Sequence, residues 1–253
     1  MRPLGRRWLI EGALLVRGIC FLGRRHVCPC CGWQLRAFTK GGGSFRTRPA
    51  GYCPRCNSKA RHRRVWLYLQ ERTDLMSESH QVLEVAPHVS LSRALSRRQN
   101  LSYLGVDLDV DVDVDGRRTV AGDLTRLPLQ RGRLDVVICV HVLEHVVDDR
   151  AAMRELHRVL RPGGWALVNV PYDAANPTYE DPSVTTPSGR REAFGEAGHV
   201  RVYGSDLPER LTSVGFEVSV SPGPSVSVDA AARFGLTTDE CIFLCMKPEV
   251  TTW

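Results

Sequence analysis

Five cysteines lie close together near the amino terminus, and four of them have the spacing of a metal site. The pattern C-x2-C occurs twice, at Cys28 and Cys31 and again at Cys53 and Cys56. Two such pairs bring four thiolates within tetrahedral reach of one Zn2+, the closed arrangement that proteins use for structure. The sequence therefore predicts a small zinc ribbon with these four ligands, and it predicts that Cys30 is not a ligand.

A disulfide pair and a thiol redox motif are the alternatives for these cysteines. Disulfides are disfavoured because no secretion signal is recognisable, and a redox CxxC would need no second pair. Gly32 follows the first pair, where a tight turn needs a positive φ. The glycine-rich stretch 41–44 suits the tip of a ribbon hairpin.

Three histidines are candidates for acid–base chemistry. His141 follows an apolar run and has an imidazole whose ordinary pKa lies near neutrality, so it is the first candidate for a general base. His145 comes four residues later, next to Glu144, and would share a helix face with His141 if this segment were helical. A zinc site from these two histidines is not indicated, because no third ligand is evident. The alternative for both is a purely structural role in the turn; His199 is the second candidate base.

The elements that would position these residues alternate between strands and helices from residue 81 onward. Buried strands are predicted at 81–86, 101–109, within the segment TVAGDLTRLP, and at 134–140, 165–171, 216–220 and 240–247. Helices are predicted at 90–98, after the fourth strand with Met153, Leu156, Val159 and Leu160 on one face, and at 205–214. Alternating βα units predict a doubly wound, seven-stranded α/β sheet, with ligand bound outside the carboxyl ends of the strands.

One segment carries a family resemblance. From Asp135 to Pro171 an apolar strand ends in HVLEHV, a helix ends in RVLRPGG, and a second apolar strand follows. This order resembles class I S-adenosylmethionine-dependent methyltransferases, in particular the type 11-like group, over about residues 80–248. The resemblance implies a Rossmann-like sheet with S-adenosylmethionine as its cofactor. The CPCCG and CPRC pairs, the RHR helix and the VAP turn also resemble a group of bacterial methyltransferase-like proteins.

The resemblance also implies which side chains would hold the cofactor. An acid at the end of the second strand accepts hydrogen bonds from both ribose hydroxyls, and Asp107, followed by Leu108, matches it. An acid after the third strand contacts the adenine amine, and Asp123, with Leu124 behind the ring, matches it. Val140, at the end of the fourth strand, is also predicted to contact the cofactor. The alternatives are a strand-end carboxylate for Asp107 and a loop cap for Asp123.

The first strand departs from the family pattern. It normally runs into a glycine-rich E-x-G-x-G loop, whereas this chain has Glu84, Val85, Ala86, Pro87 and His88. Glu84, Ala86 and Pro87 are therefore predicted to meet the cofactor in a loop without glycine. Alanine is tolerated in place of glycine only where φ is negative.

Charge divides the chain into a basic front and an acidic body. The net charge is +6, yet residues 1–72 contain only two acids, Glu11 and Glu71. A basic amphipathic helix is expected within residues 1–27, packed on the body or against a membrane surface. A second helix, capped by Ser58, is expected to begin with the basic run 58–64, which RNA or another polyanion could bind; the alternative is a linker helix that docks Trp66, Leu67 and Leu69 on the body.

Two further segments are polar. The insertion 172–200 has the length of a lid or a binding loop, and it would bring Tyr172, Asp181, Arg191, His199, Arg201 and Tyr203 near the cofactor's methyl group. Its arginines suit an anionic acceptor or pair with nearby acids. The aspartate-rich run 106–116 lacks the glycine and glutamate of a calcium loop, so an acidic edge is expected.

The sequence thus predicts four parts: a basic segment at 1–27, a zinc ribbon at 28–57, a basic linker helix at 58–79 and a methyltransferase domain at 80–248. The predicted function is methyl transfer from S-adenosylmethionine to a small-molecule or saccharide hydroxyl or to RNA. The alternative is an inactive fold that binds RNA or protein through the ribbon. No transmembrane run is present, and a cytoplasmic protein is expected; the oligomeric state is left open.

Overall fold

A computed structural model describes residues 4–41, 46–108, 118–236 and 241–249. The helices are α1 (Leu4–Cys20), α2 (Ala60–Arg72), α3 (Val89–Ser96), α4 (Asp149–Val159), α5 (Pro187–Phe194), α6 (Leu207–Thr212) and α7 (Val228–Phe234). The strands are β1 (Leu22–Val27), β2 (Gln34–Leu35), β3 (His80–Val85), β4 (Leu101–Asp107), β5 (Thr119–Ala121), β6 (Leu134–Val140), β7 (Leu160–Asn169), β8 (Tyr172–Asp173), β9 (Tyr179–Glu180), β10 (Arg201–Gly204), β11 (Glu217–Ser221) and β12 (Ile242–Met246).

The main sheet has seven strands in the order β11-β12-β7-β6-β3-β4-β5. The pairs from β7 to β5 are parallel, and β12 is antiparallel to both of its neighbours. This confirms the predicted fold, a doubly wound, seven-stranded α/β sheet. Because β3, β4, β5 and β6 run in the same direction, their carboxyl ends meet at one edge, the edge at which such sheets bind ligands.

The centre of the sheet is buried on both faces. In β6, the residues Val136, Val137, Ile138 and Cys139 are fully buried, as expected for a parallel strand that helices cover on both sides. On one face, α4 packs Met153, Leu156 and Val159 into the core, and on the other α2 contributes Trp66 and Leu69. The predicted docking of α2 on the body is thereby confirmed for these two side chains.

The cap of α2 differs from the prediction. Lys59, not Ser58, is the N-cap residue, and Nδ1 of His62 accepts a hydrogen bond from the Lys59 backbone N–H at 3.1 Å. The Ser58 hydroxyl lies instead 3.2 Å from Sγ of Cys28. Serine is a favoured N-cap residue, but the Ser58 side chain contacts the cysteine turn instead of capping α2.

The ribbon begins earlier than position 28 and contacts helix α1. Strand β1 pairs with β2, so the hairpin starts at Leu22. Arg17 of α1 donates to the Pro54 carbonyl at 2.9 Å, and Glu11 pairs with Arg93 of α3. Helix α1 thus packs against the ribbon and the body.

Several elements were not predicted. The insertion after β7 contains α5 and a small sheet in the order β8-β10-β9, and α7 lies between β11 and β12. Positions 42–45 of the expected hairpin tip and positions 109–117 of the aspartate run lie outside the described residues. Within the described residues, none of the helices has both the length and the apolar composition that crossing a membrane requires.

Candidate cofactor and acceptor site

A cavity of about 440 Å3 opens at the carboxyl ends of β3, β4, β5 and β6. Its volume is within the range of small-molecule and cofactor sites. The lining consists of Val85, Ala86, Val106, Asp107, Leu108, Gly122, Asp123, Leu124, Thr125, Val142, His145, Val146, Val147 and Asp148. Five of the residues predicted to bind cofactor, Ala86, Asp107, Leu108, Asp123 and Leu124, are therefore brought together here.

Asp107 and Asp123 lie in different elements and are held by different hydrogen bonds. Asp107 is the last residue of β4, and its backbone carbonyl accepts from the N–H of Gly122 at 2.9 Å. Asp123 follows β5, and its Oδ1 accepts from the Thr125 N–H and hydroxyl, each at 2.8 Å. Asp123 is thus a loop cap and a wall of the cavity at once. Since Oδ1 is engaged, Oδ2 is the oxygen left to a ligand.

The loop after β3 is held by Glu84. Its Oε1 accepts from the His88 N–H at 3.0 Å and its Oε2 from the Tyr103 hydroxyl at 2.7 Å. Glu84 is buried, and neither Glu84, Pro87 nor Val140 is among the described residues that line the cavity. Glu84 therefore shapes the loop, while Ala86 and Val85 face the ligand space.

Ala86 has a φ of +48°, so the condition under which alanine replaces glycine without strain, a negative φ, is not met here. A side chain with a Cβ costs about 1–2 kcal/mol in this left-handed region, which glycine occupies freely. His141, at the end of the adjacent strand β6, also has a positive φ, +54°. Strained residues of this kind are frequent at functional sites, although Ala50 and Asn57 in the ribbon region also have a positive φ.

Three histidines and one glutamate surround the end of β6. The segment after His141 is not an α-helix; it forms a single 3-10 turn, Leu143–His145. This turn directs Glu144 into the interior, where it is 0% exposed. Its Oε1 lies 3.1 Å from Nδ1 of His141 and 4.0 Å from Nε2 of His199. We call Glu144, His145 and His199, whose ligand atoms lie within 4.8 Å of one another, the Glu–His cluster.

The ring nitrogens of the two outer histidines have defined roles. Nδ1 of His145 donates to the Gly198 carbonyl at 3.0 Å, and Nδ1 of His199 donates to the Phe194 carbonyl at 3.1 Å. Because a carbonyl only accepts, each Nδ1 carries a proton. Nε2 of His199 also lies 3.4 Å from the carboxylate of Glu196. His145 lines the cavity; His141 and His199 are not among the described residues that do so.

Arg201 fixes this turn to the insertion. Its guanidinium donates to the carbonyls of Leu143, Val146 and Val147, and it pairs with Glu180 at 2.9 Å. The prediction that Arg201 pairs with a nearby acid is confirmed, and its guanidinium is only 4% exposed. Arg191, by contrast, is exposed on α5.

The sequence analysis did not identify Glu144 as a site residue. The turn that buries its side chain has no recognisable pattern in the local sequence.

The other group of ligand-type side chains is the cysteine cluster, Cys28, Cys31, Cys53 and Cys56. The two Sγ···Sγ distances between the pairs are 3.6 Å (Cys28 to Cys56) and 3.8 Å (Cys31 to Cys53). Tetrahedral ligands with Zn–S bonds of about 2.3 Å lie about 3.8 Å apart. Gly32 has the predicted positive φ, +74°. Cys30 is not part of this group, and its Sγ lies 3.6 Å from the His62 carbonyl.

Several side chains of the basic run 58–64 are buried and form contacts within the molecule. Arg63 is 0% exposed and donates to the carbonyls of Ser58, Gly51, Phe234 and Gly235. His62 and Arg64 are buried as well. These three side chains hold the ribbon to α7 and to the body, which leaves Lys59 and Arg61 partly exposed.

Comparison with known proteins agrees with this geometry. Residues 83–168 match a family model described as a methyltransferase domain. A demethylmenaquinone methyltransferase of Mycolicibacterium vanbaalenii is 33% identical over 109 residues, which are 42% of this chain and 48% of the relative. A 37.1 kDa transposon protein of Streptomyces fradiae is 32% identical over 144 residues, 56% of this chain and 38% of the relative. The chain thus spans less than half the length of these curated relatives.

Solved structures share the fold. An S-adenosylmethionine-dependent methyltransferase of Mesorhizobium loti has a TM-score of 0.55 at 18% identity, covering 73% of this chain and 98% of that one. The [4+2]-cyclase SpnF has a TM-score of 0.54 at 14% identity, covering 97% and 95%. Because a protein named as a cyclase has this fold too, the fold alone does not define the reaction. The family match adds that the centre of the sheet, from Leu83 to Val168, is similar to a methyltransferase domain.

Proposed function

We propose that this protein is an S-adenosylmethionine-dependent methyltransferase. The observation that carries the proposal is the cavity at the carboxyl edge of the sheet, where Asp107 and Asp123 converge from adjacent strands. The match of residues 83–168 to a methyltransferase domain supports it. The cofactor would supply an electrophilic methyl group on a sulfonium.

The residues present fit such a cofactor. Asp107 offers a carboxylate for the two ribose hydroxyls, since charged acceptors make the stronger hydrogen bonds. Asp123 offers Oδ2 to the adenine amine, and Leu124 with Val106 forms an apolar wall for the ring. Val142 and His145 close the opposite side. These groups bind, orient and exclude water, the main contributions that an enzyme makes to an in-line displacement.

The acceptor would approach the methyl group from the side of the Glu–His cluster. His141 and His199 both lie beside Glu144, so the two candidate bases share one carboxylate neighbour. A nucleophile that must lose a proton, such as a hydroxyl, benefits from a base here. We therefore favour O-methylation of a small molecule or saccharide over methylation of RNA, because Arg63 and Arg64 are turned inward.

We also propose that the cysteine cluster holds one structural Zn2+. The sulfur separations of 3.6 and 3.8 Å support this, and four thiolates leave no coordination position for a substrate. The ion would stabilise the ribbon, which Arg63 connects to α7. The predicted division into the parts 1–27, 28–57, 58–79 and 80–248 is retained, with the ribbon hairpin extended to Leu22.

Calorimetric titration of S-adenosylmethionine and S-adenosylhomocysteine into the purified protein tests the proposal. We expect micromolar binding that weakens at least about tenfold in Asp107→Ala, because one charged acceptor with two hydrogen bonds is lost. Asp181→Ala is the matched control, since Asp181 caps an exposed turn outside the cavity lining, and we expect unchanged binding.

The absence of binding to the intact protein would contradict the enzyme proposal. That outcome would favour an inactive fold that uses the ribbon to hold RNA or a protein. Binding that Asp107→Ala leaves unchanged would place the cofactor elsewhere than in the cavity.

A further inference from the structure

The Glu–His cluster has a feature that acid–base chemistry alone does not require. Glu144 is 0% exposed, and neither oxygen of its carboxylate accepts a hydrogen bond from a described residue. A carboxylate buried without hydrogen bonds costs several kcal/mol unless a positive charge compensates it. The nearest groups, His141 and His199, lie at ion-pair distance from it.

Both histidines of the cluster are oriented as metal ligands. The carbonyls of Gly198 and Phe194 hold the Nδ1 protons of His145 and His199, so Nε2 is the nitrogen that each ring can offer to an ion. Metal-binding histidines are fixed in this way, by a carbonyl or carboxylate on the other nitrogen. Nε2 of His199 lies 3.4 Å from the exposed carboxylate of Glu196, which an ion would displace as its partner. A Cβ on Gly198 would lie 3.0 Å from Nδ1 of His145, so the glycine allows this close approach.

We propose that Glu144, His145 and His199 bind one divalent transition-metal ion at the wall of the cavity. Two imidazoles and one carboxylate form a donor set that Zn2+ and its first-row neighbours accept, with a position left open. Ligands at about 2.1 Å from an ion lie about 3.4 Å apart. The three ligand atoms, now within 4.8 Å of one another, therefore need only small side-chain rotations to close around it.

Glu144 and His199 are the further ligands that the sequence did not show for His145, and His141 is not part of this donor set. The 3-10 turn points the Glu144 side chain inward. His199 belongs to the insertion and lies next to Glu144 because Arg201, two residues later, binds the same turn. His145 faces the cavity, so an acceptor oxygen can take the open position. That role rests on the proposed methyl transfer, whereas the cation site itself does not.

Titration of Mn2+ into the full-length, zinc-loaded protein, followed by the electron paramagnetic resonance of the free ion, tests the site without cofactor or acceptor. Mn2+ prefers oxygen and nitrogen ligands to thiolates, so the cysteine cluster does not contribute. We expect one Mn2+ per chain and a Kd raised at least about tenfold in Glu144→Gln and in His199→Ala. His157→Ala is the matched control, because His157 packs on Phe216 away from the cluster; its Kd should stay within about twofold.

No Mn2+ binding by the wild-type protein, or equal affinity in Glu144→Gln and His199→Ala, would overturn the proposal. A second measurement needs no variant. Bound Mn2+ should broaden the imidazole resonances of His145 and His199 in the wild-type protein before it affects those of His157, and uniform broadening would count against the site. Because neither readout uses S-adenosylmethionine, a failure here is distinguishable from a failure of cofactor binding.

Discussion

The cysteine cluster and the Glu–His cluster both gather metal-type ligands, yet they are assembled in different ways. The cysteine cluster consists of two local turns, each of which sets its own pair of sulfurs through backbone hydrogen bonds such as Gly32 N–H to Cys28 O at 2.8 Å. The Glu–His cluster joins the turn after β6 to the end of the insertion, with Arg201 as the connection. Local spacing therefore specifies the first, whereas tertiary packing specifies the second.

The largest difference between the clusters should appear when one ligand is removed. We expect Cys53→Ser to lose the zinc and to lower the free energy of unfolding by about 3 kcal/mol or more, because the metal's binding energy is folding energy for such a module. Zinc content per chain and urea unfolding measure this. Removing His199 should lower the stability by less, since the sheet that carries the turn has its own core.

Cys30→Ser is the matched control for this experiment. Cys30 is adjacent to a ligand but outside the cluster, and its Sγ contacts the His62 carbonyl. We expect full zinc content and a loss of stability below about 1 kcal/mol. Zinc loss in Cys30→Ser combined with zinc retention in Cys31→Ser would show that Cys30, not Cys31, is the ligand.

A stacked pair of histidines connects the cysteine-cluster side with the cavity side. The rings of His62 and His88 lie 3.8 Å apart, and the His88 N–H binds Glu84 in the cofactor loop. Desolvation and the charges of Arg61 and Lys59 lower the pKa of His88 from 6.5 to about 4. The pKa of His62 is also lowered, chiefly by desolvation.

Acid should therefore weaken the protein at this junction. Below pH 6.5 the unfolded chain binds a proton that the folded His88 refuses, so stability is present above pH 6.5 and is lost as the pH falls toward 4, by up to about 3 kcal/mol. His88→Asn keeps a helix-capping side chain but does not titrate. Urea midpoints at pH 7, 6, 5 and 4 should fall less steeply in the variant than in the wild type; parallel slopes would argue against the assignment.

The same contrast explains what the sequence could predict. The seven strands, α4 and the grouping of the four cysteines follow from periodicity, apolar runs and local spacing. The choice of Asp107 and Asp123 follows from the family resemblance. The inward direction of Glu144 does not, because it depends on a 3-10 turn whose carbonyls bind Arg201 more than fifty positions later. The sequence left two alternatives open for the basic run 58–64 for the same reason: it has no local sign that the carbonyl partners of Arg63 lie on and after α7.

The smallest expected effect concerns the backbone at Ala86. Glycine at this position removes a left-handed strain of about 1–2 kcal/mol, but it also gives the unfolded chain more freedom, at a cost of about 0.5–1 kcal/mol. We expect Ala86→Gly to stabilise the protein by roughly 0.5 kcal/mol, measured by urea unfolding without ligand.

Ala121→Gly separates the two contributions. Ala121 lies in β5 and is not among the residues with positive φ, so the substitution there has only the entropic cost and should destabilise by about 0.5–1 kcal/mol. If Ala86→Gly raises and Ala121→Gly lowers the free energy of unfolding, the strain lies at Ala86, at the cavity end of β3. Equal destabilisation would mean that Ala86 carries no strain, and the loop without glycine would then be as relaxed as an ordinary strand end.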